Sequence, residues 1–335
     1  MRWKPEKGGS GGKESNQMKS RILFMGTPDF AAASLKALVN AGADIVGVFT
    51  QPDKPQGRKK ALIPSAVKAY ALEQGLAVYQ PTTLRSDESF GLIEKLSPDI
   101  IIVAAYGKIL PERIINYPRL GCINVHGSLL PKYRGAAPIQ RAIIDGETET
   151  GVTIMYMDTG IDTGDMLAKT VVGIEPDDDF GTLHDKLAAA GAKLLVETID
   201  SLENNTARRE KQDDLKSNYA AKIENADCLL SFDDTAQNVH NRIRGLSPSP
   251  LAVVEHNGKA LKLVASEIAD TETPHNNPGE VMRCDQKGNR IEVACREGSV
   301  YLTRVLPEGK GRMNASDYIN GRKIELGDRL TKLSL

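Results

Sequence analysis

The chain has 335 residues, 40% hydrophobic and 26% charged, with a formal net charge of −1 and four cysteines. That composition fits a globular protein with room for two domains. It excludes a globally basic nucleic-acid binder, and the cysteines (Cys122, Cys228, Cys284, Cys295) have neither a CxxC pair nor a His-rich cluster, which excludes a disulfide framework and a structural zinc.

Residues 1–17 are rich in Gly, Lys and Ser, without an apolar period. They resemble neither a signal peptide nor a transit peptide and read as a tag or flexible tail before a start at Met18. From Arg21 short apolar runs alternate with amphipathic stretches. Arg21–Met25 reads as a strand, Gly26–Asp29 as a turn and Phe30–Ala41 as a helix. Ile45–Phe49 (strand), Pro64–Gln74 (helix), Ala77–Tyr79 (strand) and a helix through Leu96 follow. The all-apolar run Ile100–Ala105 suits a strand covered on both faces. Beyond it come a strand at Cys122–Val125, a helix around Pro138–Ile144, strands at Val152–Met157 and Met166–Val172, and a helix at Thr182–Leu202. Such alternation predicts an α/β fold with a doubly wound, mostly parallel, Rossmann-like sheet.

The polar stretch Glu203–Ser217 reads as a linker. After it a helix at Asp234–Ile243 precedes short β-rich runs at Leu251–Glu255, Leu261–Ser266, Gly279–Arg283, Arg290–Ala294 and Val300–Leu306. Their spacing predicts a small OB-like barrel of about five strands. The expected division is a sheet domain at 18–204, a linker at 205–220 and a barrel domain at 221–335, the last close to neutral in charge. No apolar run approaches the ~20 residues of a membrane span. A cytoplasmic protein with buried or half-buried thiols is expected.

Two segments carry candidate chemistry. In Gly121-Cys-Ile-Asn124-Val-His126-Gly-Ser128-Leu-Leu-Pro131-Lys-Tyr-Arg134-Gly135, Asn124 and His126 lie two apart at a strand end and project from one face. Strand C-terminal ends are where open α/β sheets place ligands. An amide there can donate to a developing oxyanion, and an imidazole exchanges protons near neutrality. The second segment, Asp158-Thr-Gly160-Ile-Asp162-Thr-Gly164-Asp165, sets three carboxylates among glycines and threonines after a later strand. Composition alone does not choose among Asp158, Asp162 and Asp165, and the loop also fits a capped turn or a divalent-metal site. Together the segments fit acyl transfer to an amine without a covalent enzyme intermediate, since no G-x-S-x-G nucleophile elbow is present. A single N-x-H with a satisfied core histidine is the plain alternative.

Other segments say less. Gly26-Thr27-Pro28-Asp29 is not a G-x-G-x-x-G phosphate loop and reads as a helix entry. The loop from Gln51 to Lys60 follows a strand end and carries Lys54, Arg58, Lys59 and Lys60. It is either a solvated charged loop or an arm that grips nucleic-acid phosphates. The segment around Tyr106 reads as a cleft wall formed largely by main chain. His184, His240, His256 and His275 are expected on the surface or in helix packing.

The stretch from Asn124 to Gln140 (N-V-H-G-S-L-L-P-K-Y-R-G-A-A-P-I-Q) resembles the signature of folate-dependent formyltransferases, and the similarity to those acting on methionyl-tRNA runs from Arg21-Ile-Leu-Phe-Met-Gly-Thr-Pro to the C-terminal tail. The resemblance implies a catalytic trio of Asn124, His126 and Asp162. It also implies a folate-contacting loop at Ser128, Leu129, Leu130 and Pro131, and tRNA contacts from Arg58, Lys59 and Lys60. It makes 10-formyltetrahydrofolate the co-substrate, with no metal, and initiator methionyl-tRNA the acceptor of a monomeric enzyme. The junction Tyr219-Ala-Ala-Lys222-Ile resembles the family's entry into its barrel. Arg242 to Pro250 resembles its next element but has Ser249 where the family carries an aromatic. The remaining alternatives are a formyltransferase for an amino sugar or purine-precursor amine, a formate-releasing hydrolase, and a non-catalytic tRNA- or dinucleotide-binding module.

Overall fold

The computed structural model describes residues 18–56 and 61–334. In chain order the first part contains β1 (Arg21–Gly26), α1 (Asp29–Asn40), β2 (Asp44–Phe49), β3 (Lys54–Gln56), β4 (Ala61–Ile63), α2 (Ala66–Glu73), β5 (Val78–Tyr79), α3 (Asp87–Leu96), β6 (Ile100–Ala104) and α4 (Glu112–Ile115). It continues with β7 (Cys122–His126), β8 (Arg134–Gly135), α5 (Pro138–Ile144), β9 (Glu149–Tyr156), β10 (Met166–Gly173) and α6 (Phe180–Glu203).

Helix starts follow local chemistry. Ser65 and Ser86 accept the amides of Lys68 and Ser89 at the N-termini of α2 and α3, and Asp179 with Thr182 forms a capping box on α6. The main sheet has the order β10-β9-β7-β6-β1-β2-β5. Five strands are parallel, while β9 runs antiparallel to both β7 and β10. Alternate residues of each strand feed two cores. Ile22, Phe24, Ile100, Ile102, Ile123 and Val125 pack with residues of α1, α5 and α6. Leu23, Met25, Ile101, Val103 and Cys122 pack on the other face with Ile93 of α3 and Ile114 of α4. Each fully buried aliphatic side chain contributes roughly 1.5–3 kcal/mol relative to exposure.

The second part contains β11 (Tyr219–Ala220), α7 (Asn225–Cys228), α8 (Ala236–Gly245), β12 (Ala252–His256), β13 (Lys259–Pro274), β14 (Val281–Asp285), β15 (Arg290–Ala294), β16 (Glu297–Pro307), β17 (Met313–Asn314), α9 (Ala315–Asn320) and β18 (Leu330–Thr331). Its antiparallel sheet runs β14-β15-β16-β13-β12-β18, and a single bridge between Glu280 and Arg329 joins its two edges. The expected barrel is present, its five anticipated strands joined by two short ones, β17 beside β16 and β18 beside β12, and β13 is 16 residues long because it keeps pairing with β16 through a series of bulges. The two parts touch where α5 meets α8. There Arg141 grips both oxygens of Asp227 at 3.1 and 3.0 Å, and Arg244 donates to the carbonyl of Asp178 at 2.9 Å.

Several expectations need correcting. The strand read at Val152–Met157 is antiparallel to its neighbours, so its C-terminal end lies at the edge of the sheet opposite the end of β7: Tyr156 pairs with Ile123, and Thr153 with His126. The polar connector expected after α6 docks on the sheet domain, with Glu210 bridging Met166 and Tyr219–Ala220 pairing with β8. Of the two places expected for His256, the surface is excluded and helix packing holds, since its ring lies edge-on to Tyr318 of α9. It is buried in β12, with Nδ1 3.0 Å from the Tyr318 hydroxyl and Nε2 3.1 Å from Asp328. Three cysteines are buried and Cys284 is half-buried. Ser249 is exposed, so the position takes no part in packing. Among the described residues no helix is long and apolar enough to cross a membrane.

Candidate active site

The loops after β1, β2, β6 and β7 leave the same edge of the parallel strands, the C-terminal one. They are tied to one another. Thr27 donates to the carbonyl of Tyr106 at 3.1 Å, and the Gln51 amide donates to the carbonyls of Tyr106 and Gly107, each at 3.1 Å. Ile109, 83% exposed, projects from the β6 loop. The Tyr106 side chain turns inward, where burial pushes its hydroxyl up to about 12, and its Oη has no partner among the described residues.

Asn124 and His126 share the β7 face that carries Cys122, and the alternation that buries Ile123 and Val125 opposite them fixes this. Asp162 comes from the loop after β9. Because β9 is antiparallel, that loop must fold back over the sheet to reach the β7 end. It does so with Asp162 at φ +53°, a left-handed conformation that Asp tolerates better than most residues. Asp158 stabilises the turn by accepting the Gly160 amide and the Thr163 hydroxyl at 2.9 and 2.7 Å. A β-carbon on Gly164 would lie 1.9 Å from the carbonyl oxygen of Tyr156, so only glycine permits the fold-back.

The three side chains meet. Asn124 Nδ2 donates to Asp162 Oδ1 at 3.4 Å, and His126 Nδ1 lies 3.5 Å from Asp162 Oδ2. His126 is nearly inaccessible, and its Nε2 lies 2.9 Å from the main-chain carbonyl of Tyr133, a pure acceptor that assigns the proton there. Nδ1 then faces a carboxylate oxygen, so the pair is complementary when one proton sits between them. Oδ2 also accepts the Gly135 amide at 2.8 Å. Gly135 has φ +117°, and a β-carbon there would meet the Ala220 carbonyl oxygen at 2.7 Å. Pairing of β8 with β11 therefore fixes both the Tyr133 carbonyl and the Gly135 amide relative to the trio. Farther out, burial first, then the charges of Asp145 and Glu147 beside it, raises the Tyr133 hydroxyl far above the ordinary tyrosine value.

The segment Ser128–Pro131 lies over β9 on the same face. Ser128 Oγ donates to the Lys132 carbonyl at 2.7 Å. The Thr153 hydroxyl bridges the Ser128 carbonyl and the Leu130 amide at 2.7 and 3.1 Å. Leu130 is buried with Met155 and Met166, and Leu129 leans on Gly151. The side chains of Ser128 and Leu130 hold the loop in place, so these two residues offer a ligand their main chain, while Leu129 and Pro131 are half-buried and retain exposed surface. Arg58, Lys59 and Lys60 lie outside the described residues. The strands β3 and β4 on either side of them rise from a base locked by Lys68, which donates to Asp53 and Gln80 at 2.6 and 2.9 Å.

Gln212, which donates to the main-chain carbonyls of Asp162 and Gly164, Arg134, which donates to Gln212, and Gly135, which donates to Asp162, adjoin the trio without having been expected there. Gln212 sits in a polar stretch with nothing to mark it as buried. Gly135 had a signal in its place within the Asn124 segment. A cavity of about 450 Å³ opens on the outer side of the Asp162 loop, where Arg209 and Lys211 of the connector join Asp158 and Asp165.

Residues 18–199 match the family model described as formyl transferase, and residues 222–323 match the one described as formyl transferase, C-terminal domain. A methionyl-tRNA formyltransferase of Macrococcus caseolyticus is 50% identical over 308 residues, 92% of this chain and 97% of its own length. That of Bacillus subtilis is 45% identical over 311 residues, 93% and 98% of the two chains. Among solved structures, an N-formyltransferase of Helicobacter canadensis in complex with folinic acid and dTDP-3-aminofucose superposes with a TM-score of 0.63 at 20% identity, covering 84% of this chain and 98% of that one. HypX from Aquifex aeolicus in complex with tetrahydrofolic acid superposes with a TM-score of 0.60 at 17% identity, covering 94% and 51%. At these identities the structures establish a common fold.

Proposed function

Because the chain belongs to the formyl transferase family, we infer that it transfers the formyl group of 10-formyltetrahydrofolate to the α-amino group of methionine carried by initiator tRNA. The single observation that carries this reading is the 45–50% identity to methionyl-tRNA formyltransferases along both the sheet and the barrel. The product is formylmethionyl-tRNA, the substrate of translation initiation.

The residues present fit a folate co-substrate. Exposed Ile109 and the surface of Leu129 and Pro131 on neighbouring loops offer apolar area for flat rings, and Asn124 presents an amide where a carbonyl oxygen would need a donor. When bound, the co-substrate supplies the formyl carbonyl. In our reading Asn124 gives one amide hydrogen to Asp162 and keeps the other for the carbonyl oxygen as negative charge develops on it. One such donor typically contributes about 2.7–4 kcal/mol to the barrier. Asp162 and His126 act as one proton store. They accept the proton that the attacking amine loses and return it to the departing nitrogen, so the pair ends as it began. Their 3.5 Å separation exceeds a formed hydrogen bond, as catalytic contacts often do before substrate binds. The barrel, the connector cations Arg209 and Lys211, and the basic residues Arg58, Lys59 and Lys60 would hold the tRNA. The chain would work as a monomer in the cytoplasm.

The test offers both acceptor classes at once. Purified protein, label in the formyl group of the donor, methionyl initiator tRNA and a nucleotide-linked amino sugar are incubated together. Label on the tRNA alone supports the reading, and label on the sugar alone refutes it.

A further inference from the structure

Asp162 reaches its partners from a loop that starts at the wrong edge of the sheet, takes a left-handed residue at its apex and is not anchored by apolar burial, since Ile161 beside it is exposed. Something must hold it, and the connector to the barrel does. Gln212, 6% exposed, donates one amide hydrogen to the main-chain carbonyl of Asp162 and the other to that of Gly164, each at 2.8 Å. Its Oε1 accepts from Arg134 Nε at 3.0 Å, and the same guanidinium reaches Asp214 at 2.8 Å. Every polar group of the Gln212 side chain is therefore used. Arg134 belongs to the short segment whose neighbours orient His126 through the Tyr133 carbonyl and Asp162 through the Gly135 amide. One buried amide thus ties the carboxylate-bearing loop to the strand segment that holds the imidazole. Met166 and Glu210 exchange main-chain hydrogen bonds at 2.8 and 2.9 Å just before it, which sets the connector in register.

We propose that Gln212 is a positioning residue of the transfer reaction: it clamps the Asp162 loop so that the carboxylate meets Asn124 and His126. The connector between the two domains is then a structural part of the active site, and its path couples the attachment of the barrel to the placement of Asp162. This inference rests on the transfer reading above. A carboxamide is the required group, because only a planar side chain with two donors and one acceptor satisfies two carbonyls and a guanidinium at once.

Gln212→Glu keeps the shape and the Arg134 contact but turns an acceptor toward two carbonyl oxygens. The expected result is a kcat lower by about 30-fold, the equivalent of two ordinary hydrogen bonds. The KM values for 10-formyltetrahydrofolate and methionyl-tRNA should stay within about threefold of wild type under the same logic of a lost transition-state contact. Amide hydrogen exchange should rise across residues 157–165 and stay unchanged across residues 122–126. Gln212→Met, which is apolar and of similar length, gives the same readings if the glutamate variant does not fold. A folded variant with unchanged kcat, a loss confined to the KM for tRNA, or unchanged exchange at 157–165 would overturn the proposal. Wild-type protein that transfers no formyl group would sink the transfer reading instead, and the exchange data would still decide whether Gln212 holds the loop.

Discussion

Replacing Asp162 by Asn removes a charge at constant shape, and the contacts around it dictate what fails. Oδ2 accepts the Gly135 amide at 2.8 Å and faces His126 Nδ1 at 3.5 Å, while Oδ1 accepts from Asn124 at 3.4 Å. A carboxamide has one acceptor for these two N–H donors. With its oxygen toward Gly135 its NH2 confronts the Asn124 amide, and with the reverse orientation it confronts a main-chain N–H that the β8–β11 pairing holds in place. Losing a charge-assisted hydrogen bond costs about 1.5–3 kcal/mol, and losing a positioned proton acceptor costs about 10²- to 10⁴-fold in rate. The expected kcat is therefore about 10³-fold below wild type, because these two losses fall on the same group and do not simply add. Methionyl-tRNA affinity should be nearly unchanged. Steady-state formylation with both substrates saturating, beside tRNA binding and a thermal melt, measures it. A folded Asp162→Asn enzyme within about threefold of wild-type kcat would refute the proton-store reasoning, since a general base contributes far more than that.

Hydrogen bonds from Arg141 hold the Asp227 carboxyl below the ordinary carboxylate range. The stability this pair adds is therefore present above the unfolded carboxylate value near 4 and is lost as pH falls through the lower folded value. A double-mutant cycle with Arg141→Ala and Asp227→Ala should give a coupling of about 1–3 kcal/mol at pH 7 that shrinks below about pH 4; a coupling independent of pH would contradict the assignment. Tyr106→Phe removes a buried hydroxyl with no partner among the described residues and should raise the melting temperature by about 2–4 °C if it recovers about 1 kcal/mol; a clear fall would mean the hydroxyl is satisfied. Arg58→Ala should weaken methionyl-tRNA use and lower the salt dependence of binding by about one phosphate contact, leaving the donor KM unchanged, and titration at several salt concentrations reads it.

Most of the sheet was legible because its strands are short apolar runs and its helices carry ordinary caps, as at Ser86 and Asp179. The direction of β9 was not. Thr150 to Met155 are buried on both faces, so the periodicity that separates a half-covered antiparallel strand from a covered parallel one is absent. Asn124 and His126 could be placed from spacing alone. Asp162 could be chosen over Asp158 and Asp165 only through resemblance, because the choice depends on a fold-back conformation that no local pattern encodes. The docking of the connector is hidden from the sequence for a related reason. Polarity reads as exposure, yet Gln212 is buried to satisfy main-chain carbonyls that belong to a loop nearly 50 residues away.

The most direct measurement of the central claim follows the label to its atom. Wild-type protein is mixed with methionyl-tRNA and formyl-labelled 10-formyltetrahydrofolate, the ester is cleaved by mild base, and the released amino acid is analysed. The account predicts label in N-formylmethionine. Label released as formate, or left on the donor while the protein binds tRNA, would contradict it.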